Sequence, residues 1–82
     1  MIEEKLVTLR QMHSGQSGKV VQIQGGVGLV NRLSALGIRP GKKITKVSSM
    51  LMRGPVTIQS GNTRVAIGFG MASRIVVKLD ES

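Results

Sequence analysis

His13 is the one imidazole of the chain, and no cysteine accompanies it. A transition-metal site built on it would need further nitrogen, sulfur or carboxylate ligands, since a structural zinc takes four. The sequence supplies few. Its acidic residues, Glu3, Glu4, Asp80 and Glu81, all lie within four residues of an end. From Lys5 to Leu79 there are twelve Lys or Arg and no Asp or Glu. That gap removes whole classes of chemistry. The interior has no carboxylate pair for glycoside hydrolysis and no oxygen cage for calcium or magnesium. A nucleophile would lack the acid that orients its histidine, and a dinucleotide the acid that holds its ribose. The chain reads as a binding or regulatory module with no catalytic residue, no cofactor and no metal site of its own. Ferrous or zinc ions are expected to bind it only weakly.

The chemistry these residues do favour is recognition of anions. A net charge of +8 draws the chain toward nucleic acid, acidic protein surfaces or lipid headgroups. The densest basic cluster is Arg39, Lys42, Lys43 and Lys46, with Arg32 nearby. It surrounds the end of a predicted helix, where cations are also favoured by the helix dipole. These five side chains are the candidate partner-binding residues. Nucleic acid is the poorer match, because base recognition uses aromatic platforms and Phe69 is the only aromatic residue. Phosphate contacts alone give weak, salt-sensitive binding. Met50, Leu51, Met52 and Pro55 form a second candidate contact, since methionines adapt to varied partners, although such residues also serve as core filler. Gly26-Val27-Gly28 has Asn31 where a dinucleotide loop has its third glycine, and Gly15 to Lys19 lacks phosphate-loop spacing.

The elements that must position the cluster follow from apolar periodicity. Leu6, Leu9 and Met12 lead into a turn at 14–18. Lys19 to Gln24 reads as a strand with Val21 and Ile23 on its inner face. Leu29, Leu33 and Leu36 then mark the stripe of a short amphipathic helix, closed by Gly37 with Pro40 beyond it. Lys42 to Met52 reads as a second strand whose apolar residues change parity, from Ile44 to Val47 and Leu51, which implies a bulge or bend. Val56 and Ile58 alternate inward, and Gly61-Asn62 predicts a two-residue hairpin loop of type II′. Val65 and Ile67 face inward on the returning strand. A helical turn at 68–73 precedes a last strand carrying Ile75, Val77 and Leu79. The resulting expectation is a mainly β fold: one domain over residues 1–82, a small, strongly bent SH3-like barrel of five to six short strands with one short α-helix and a helical turn.

In order and spacing these segments resemble the ferrous iron transport protein A (FeoA) family. The resemblance runs from Leu6 to Leu79. It is carried by Leu9 with Gly15-x-x-Gly18-x-Val20 and, most specifically, by Arg32-Leu33-Ser34-Ala35-Leu36-Gly37-Ile38-Arg39-Pro40-Gly41. Gly54-Pro55-Val56, Val65-Ala66-Ile67-Gly68 and Ala72-Ser73-Arg74-Ile75-Val76-Val77 continue it. Gly68-Phe69-Gly70-Met71 departs from the polar or charged turn common in relatives. The resemblance implies an SH3-like accessory of ferrous iron uptake that binds FeoB, the membrane permease with a cytosolic GTP-binding domain. The same domain type closes iron-dependent repressors, but no helix-turn-helix segment is present.

Two other functions match parts of the chain. One is an RNA- or ribosome-binding SH3-like module, since Gly15-x-x-Gly18-Lys19-Val20-x-x-Ile23 also occurs in small translation barrels. The other is a metal-responsive regulatory domain. The start, Met1 to Lys5, is acidic and lacks an apolar core, so no signal peptide is expected. The longest stretch free of polar residues, Val65 to Ala72, is far short of a membrane span. A cytoplasmic location is expected.

Overall fold

The computed structural model describes residues 5–49 and 54–80. Strand β1 (Leu6–Thr8) runs into a 3-10 turn (Leu9–Gln11), followed by β2 (Ser17–Ile23), α1 (Val27–Ala35) and β3 (Lys43–Ser49). Then come β4 (Val56–Ser60), β5 (Thr63–Ile67), the single-turn α2 (Phe69–Ala72) and β6 (Ile75–Leu79). The strands form one six-stranded sheet in the order β1-β6-β2-β3-β4-β5, and every neighbouring pair is antiparallel. The mainly β, SH3-like architecture expected from the sequence is therefore the observed one.

The sheet closes over a single apolar core because two of its strands carry register shifts. In β3 the pairing with β4 slips between Lys46 and Ser48, which is the bend implied by the parity change at Val47. The rest of that expected strand, Met50 to Met52, lies outside the described residues. In β2 the pairing with β6 slips between Val20 and Gln22, a shift the sequence does not announce. It corrects one expectation. Val20 is fully buried and Val21 is exposed, the reverse of an inner face built on Val21 and Ile23. The extra residue at Val21 changes the inward parity, so Gly18 and Val20 face the core before it and half-buried Ile23 packs on the core after it.

The remaining inward pattern agrees with expectation. Val56, Ile58, Ile67, Ile75 and Val77 are buried, and Val65 and Leu79 pack against them. Gly61-Asn62 is the two-residue loop of the β4–β5 hairpin, since Ser60 pairs with Thr63, and Gly61 has φ 62°, the sign that primed turns demand. The 3-10 turn is fixed by a reciprocal capping box: the Thr8 N–H donates to Gln11 Oε1 at 2.8 Å and the Gln11 N–H donates to Thr8 Oγ1 at 3.3 Å. It meets α2 where the Arg10 guanidinium lies 4.5 Å from the centre of the Phe69 ring. No helix among the described residues is long and apolar enough to cross a membrane.

Helix α1 is held by one fully buried side chain, Leu33, with Leu29 half-buried against the core. Leu36 does not complete the stripe: the helix ends at Ala35, and Leu36 becomes its cap residue and is 40% exposed. Leu33→Ala is expected to cost about 2–5 kcal/mol through lost contacts and a residual cavity. Urea unfolding followed by circular dichroism reads this directly, and an unchanged midpoint would contradict the placement of the helix.

Candidate functional site

The basic cluster sits on the corner where α1 passes through a turn into β3, and backbone geometry accounts for that corner completely. Helix α1 ends in a Schellman motif. The Ile38 N–H donates to the Leu33 carbonyl and the Gly37 N–H to the Ser34 carbonyl, each at 2.9 Å. Gly37 takes the left-handed conformation the motif requires, with φ 86°. Leu33 and Ile38, the two residues whose apolar contact accompanies the motif, are both fully buried. The next four residues form a second tight turn, in which the Lys42 N–H donates to the Arg39 carbonyl at 3.0 Å. Pro40 supplies the fixed φ of its first central position and Gly41, at φ 93°, the positive φ of the second, the pattern of a type II turn.

This turn is stitched to the sheet on both sides of Val20. The Gly41 N–H donates to the Val20 carbonyl at 2.7 Å, and the Val20 N–H donates to the Lys42 carbonyl at 2.9 Å. Arg32, Arg39, Lys42 and Lys43 are all exposed. Among the described residues Arg32, Arg39 and Lys42 have no carboxylate beside them. Lys43 does: its Nζ lies 3.0 Å from Asp80 Oδ2, with both side chains exposed. Next to the corner, Lys42, Lys43, Thr45, Gln59 and Gly61 line an open groove of about 530 Å³.

Lys46 does not belong to this surface. It shares the inward parity of Ile44, two residues earlier, because the β3 bulge lies beyond it. Only 3% of the residue is exposed. Its Nζ donates to the Arg10 carbonyl at 3.2 Å and to the Met12 carbonyl. Its main chain holds the neighbouring turn as well, with the Gly15 N–H donating to the Lys46 carbonyl at 2.7 Å and the Lys46 N–H to the Gln16 carbonyl at 2.9 Å. Lys46 is thus a structural clamp that ties residues 10–16 to β3. Four of the five expected residues remain at the surface, and parity with Ile44 was the signal that separated the fifth.

His13 is exposed, and its N–H donates to Gln16 Oε1 at 2.7 Å. Among the described residues no three His, Cys, Asp or Glu side chains are grouped to hold a metal ion.

Burial lowers the Lys46 pKa from its ordinary 10.5 by desolvating the ammonium. The sign of the linkage follows. Between the lowered folded value and 10.5 the unfolded chain holds more protons, so this group makes the fold more stable as pH rises through that window. The burial penalty is fully present at neutral pH. The unfolding free energy of the wild type should therefore climb more steeply than that of Lys46→Met as pH approaches 10.5, measured by urea titrations at stepped pH. Parallel pH profiles would contradict a buried, charged Lys46.

Residues 7–79 match a family model described as the FeoA domain. A Methanocaldococcus jannaschii protein named an Fe(2+) transport protein A is 34% identical over 64 residues, which cover 78% of this chain and 76% of that protein. A crystal structure of an iron uptake regulatory protein (FeoA) is 38% identical, with a TM-score of 0.84 over 93% of this chain and 99% of that one. A manganese-dependent transcriptional repressor has a TM-score of 0.85 over 98% of this chain and 45% of that one, at 16% identity. That last likeness is one of fold.

Proposed function

The chain belongs to the FeoA family, matching its model over residues 7–79, and on that premise we propose that it is a non-catalytic accessory of ferrous iron uptake. It acts in the cytoplasm by docking on an acidic surface of FeoB, the membrane permease with a GTP-binding domain. The relatives named for Fe(2+) transport and iron uptake regulation support the process. The carboxylate-free stretch from Lys5 to Leu79 supports binding over catalysis. The observation that carries the docking surface is the corner itself. Arg39 and Lys42 stand exposed at the two ends of a turn that follows directly on the Gly37 and Ile38 bonds to α1 and is itself hydrogen-bonded to Val20 of β2.

Charges held this way meet a partner with little ordering to be done on binding. Being solvated, they contribute mainly to association rate and salt dependence, and little to folding. Arg32 and Lys43 extend the same surface along the helix end and onto β3.

The double change Arg39→Glu with Lys42→Glu is expected to shift unfolding stability by no more than about 0.5 kcal/mol, as for surface substitutions generally. It should weaken capture of the full-length permease in detergent about tenfold or more, most clearly at low ionic strength where screening is least. Undiminished capture by the folded double variant would remove this corner from the interface.

A further inference from the structure

The strand register continues the basic corner onto the outer face of the sheet. Lys43 on β3 pairs with Lys19 on β2, and Lys19 pairs with Lys78 on β6. Their neighbours Ile44, Gly18, Val20 and Val77 face the core, so the three lysines share the opposite face. Adjacent strands lie only about 4.8 Å apart, and like charges placed directly opposite one another destabilise a sheet. Lys19 and Lys43, directly opposite each other, are held there at a cost to the fold. An anion laid across them relieves that cost.

Among the described residues one carboxylate already lies there. Beyond the last residue of β6, the Asp80 N–H donates to the Ser17 carbonyl at 2.9 Å, which carries the backbone one step further along β2. This places Asp80 Oδ2 at 3.0 Å from Lys43 Nζ. The pair is well exposed, so the bond is weak and displaceable. Lys19 remains exposed with no acidic partner among the described residues. The row of partners beside the lysines is polar and ends in an exposed cation: the Ser17 and Thr45 hydroxyls are 2.7 Å apart, and Arg64 Nε donates to Gln59 Oε1 at 3.3 Å. Thr45 and Gln59 also line the groove that opens beside Lys42 and Lys43. No aromatic ring is available on this face for base stacking, because Phe69 is engaged by Arg10 at the 3-10 turn.

We propose that the outer face of β2 and β3, centred on Lys19 and Lys43 with the groove at Lys42, Thr45 and Gln59, receives a run of Asp and Glu from a protein partner, and that Asp80 is a built-in competitor displaced when that run binds. This rests on the docking function above and extends it, giving the partner segment its chemistry and its path from the corner across the sheet.

The test uses residues outside the corner. The full chain and its Lys19→Glu, Lys19→Gln and Asp80→Asn variants, each checked for an unchanged melting profile, are assayed for capture of the full-length permease in detergent at low salt. A short poly-glutamate and an equally charged oligo-uridylate serve as competitors. Lys19→Glu should weaken capture about tenfold and Lys19→Gln less. Asp80→Asn should tighten it about two- to fivefold, and poly-glutamate should displace the permease at lower concentration than oligo-uridylate. Wild-type capture by both Lys19 variants, with capture lost in the corner double variant, would overturn this face and leave the docking function standing. Better competition by oligo-uridylate would also overturn it, assigning the face to nucleic acid. No capture by the wild-type chain would overturn the docking function and this extension together.

Discussion

Every cation between Lys5 and Leu79 must be accommodated without a carboxylate from the same stretch of chain, and the charge arrangement of the molecule follows from that constraint. Lys46, the one buried cation among the described residues, is satisfied by the main-chain carbonyls of Arg10 and Met12. Arg10 lies over the Phe69 ring. Arg32 sits in the last turn of α1, where the helix dipole favours a positive charge. Lys43 takes its counter-ion from Asp80, beyond the acid-free stretch. Arg39, Lys42 and Lys19 face solvent together with Lys5, Arg64 and Arg74, and the first three are the ones the proposed docking surface uses.

The corner that presents them depends on backbone hydrogen bonds more than on side-chain packing. Leu33 and Ile38 anchor the Schellman motif in the core, the Arg39–Lys42 turn follows at once, and Val20 receives and donates a bond on either side of it. A change in charge at Arg39 or Lys42 leaves all of these bonds in place. A change at Leu33 undermines them. Stability and the proposed recognition therefore fall on adjacent but separable residues, and this separation allows the surface to be tested by charge reversal in a folded protein.

Much of this was legible in the sequence because it is written in local rules. Leu36-Gly37-Ile38-Arg39-Pro40-Gly41 specifies a helix stop and a turn through residues with few conformational options, and both formed as expected. The Gly61-Asn62 hairpin and the bend at Val47 were equally local. The failures were not. The slip at Val21 arises because β2 pairs with β6 on one side and β3 on the other, a demand set by strands far away in sequence. Leu36 belonged to the apolar stripe by spacing, but the helix ended one residue before it. Lys46 was grouped with its charged neighbours because a buried lysine is rare. Its parity with Ile44 pointed inward, and the carbonyls that make its burial tolerable come from residues 10 and 12, invisible to any local pattern.

If recognition rests on solvated charges fixed to a rigid corner and sheet face, its signature lies in kinetics. The most direct measurement is the stopped-flow association rate of this chain with the full-length permease in detergent across a series of ionic strengths. The account predicts a rate constant that falls steeply as salt rises, with dissociation changing little. An association rate indifferent to salt would contradict it and place the contact on apolar surface instead.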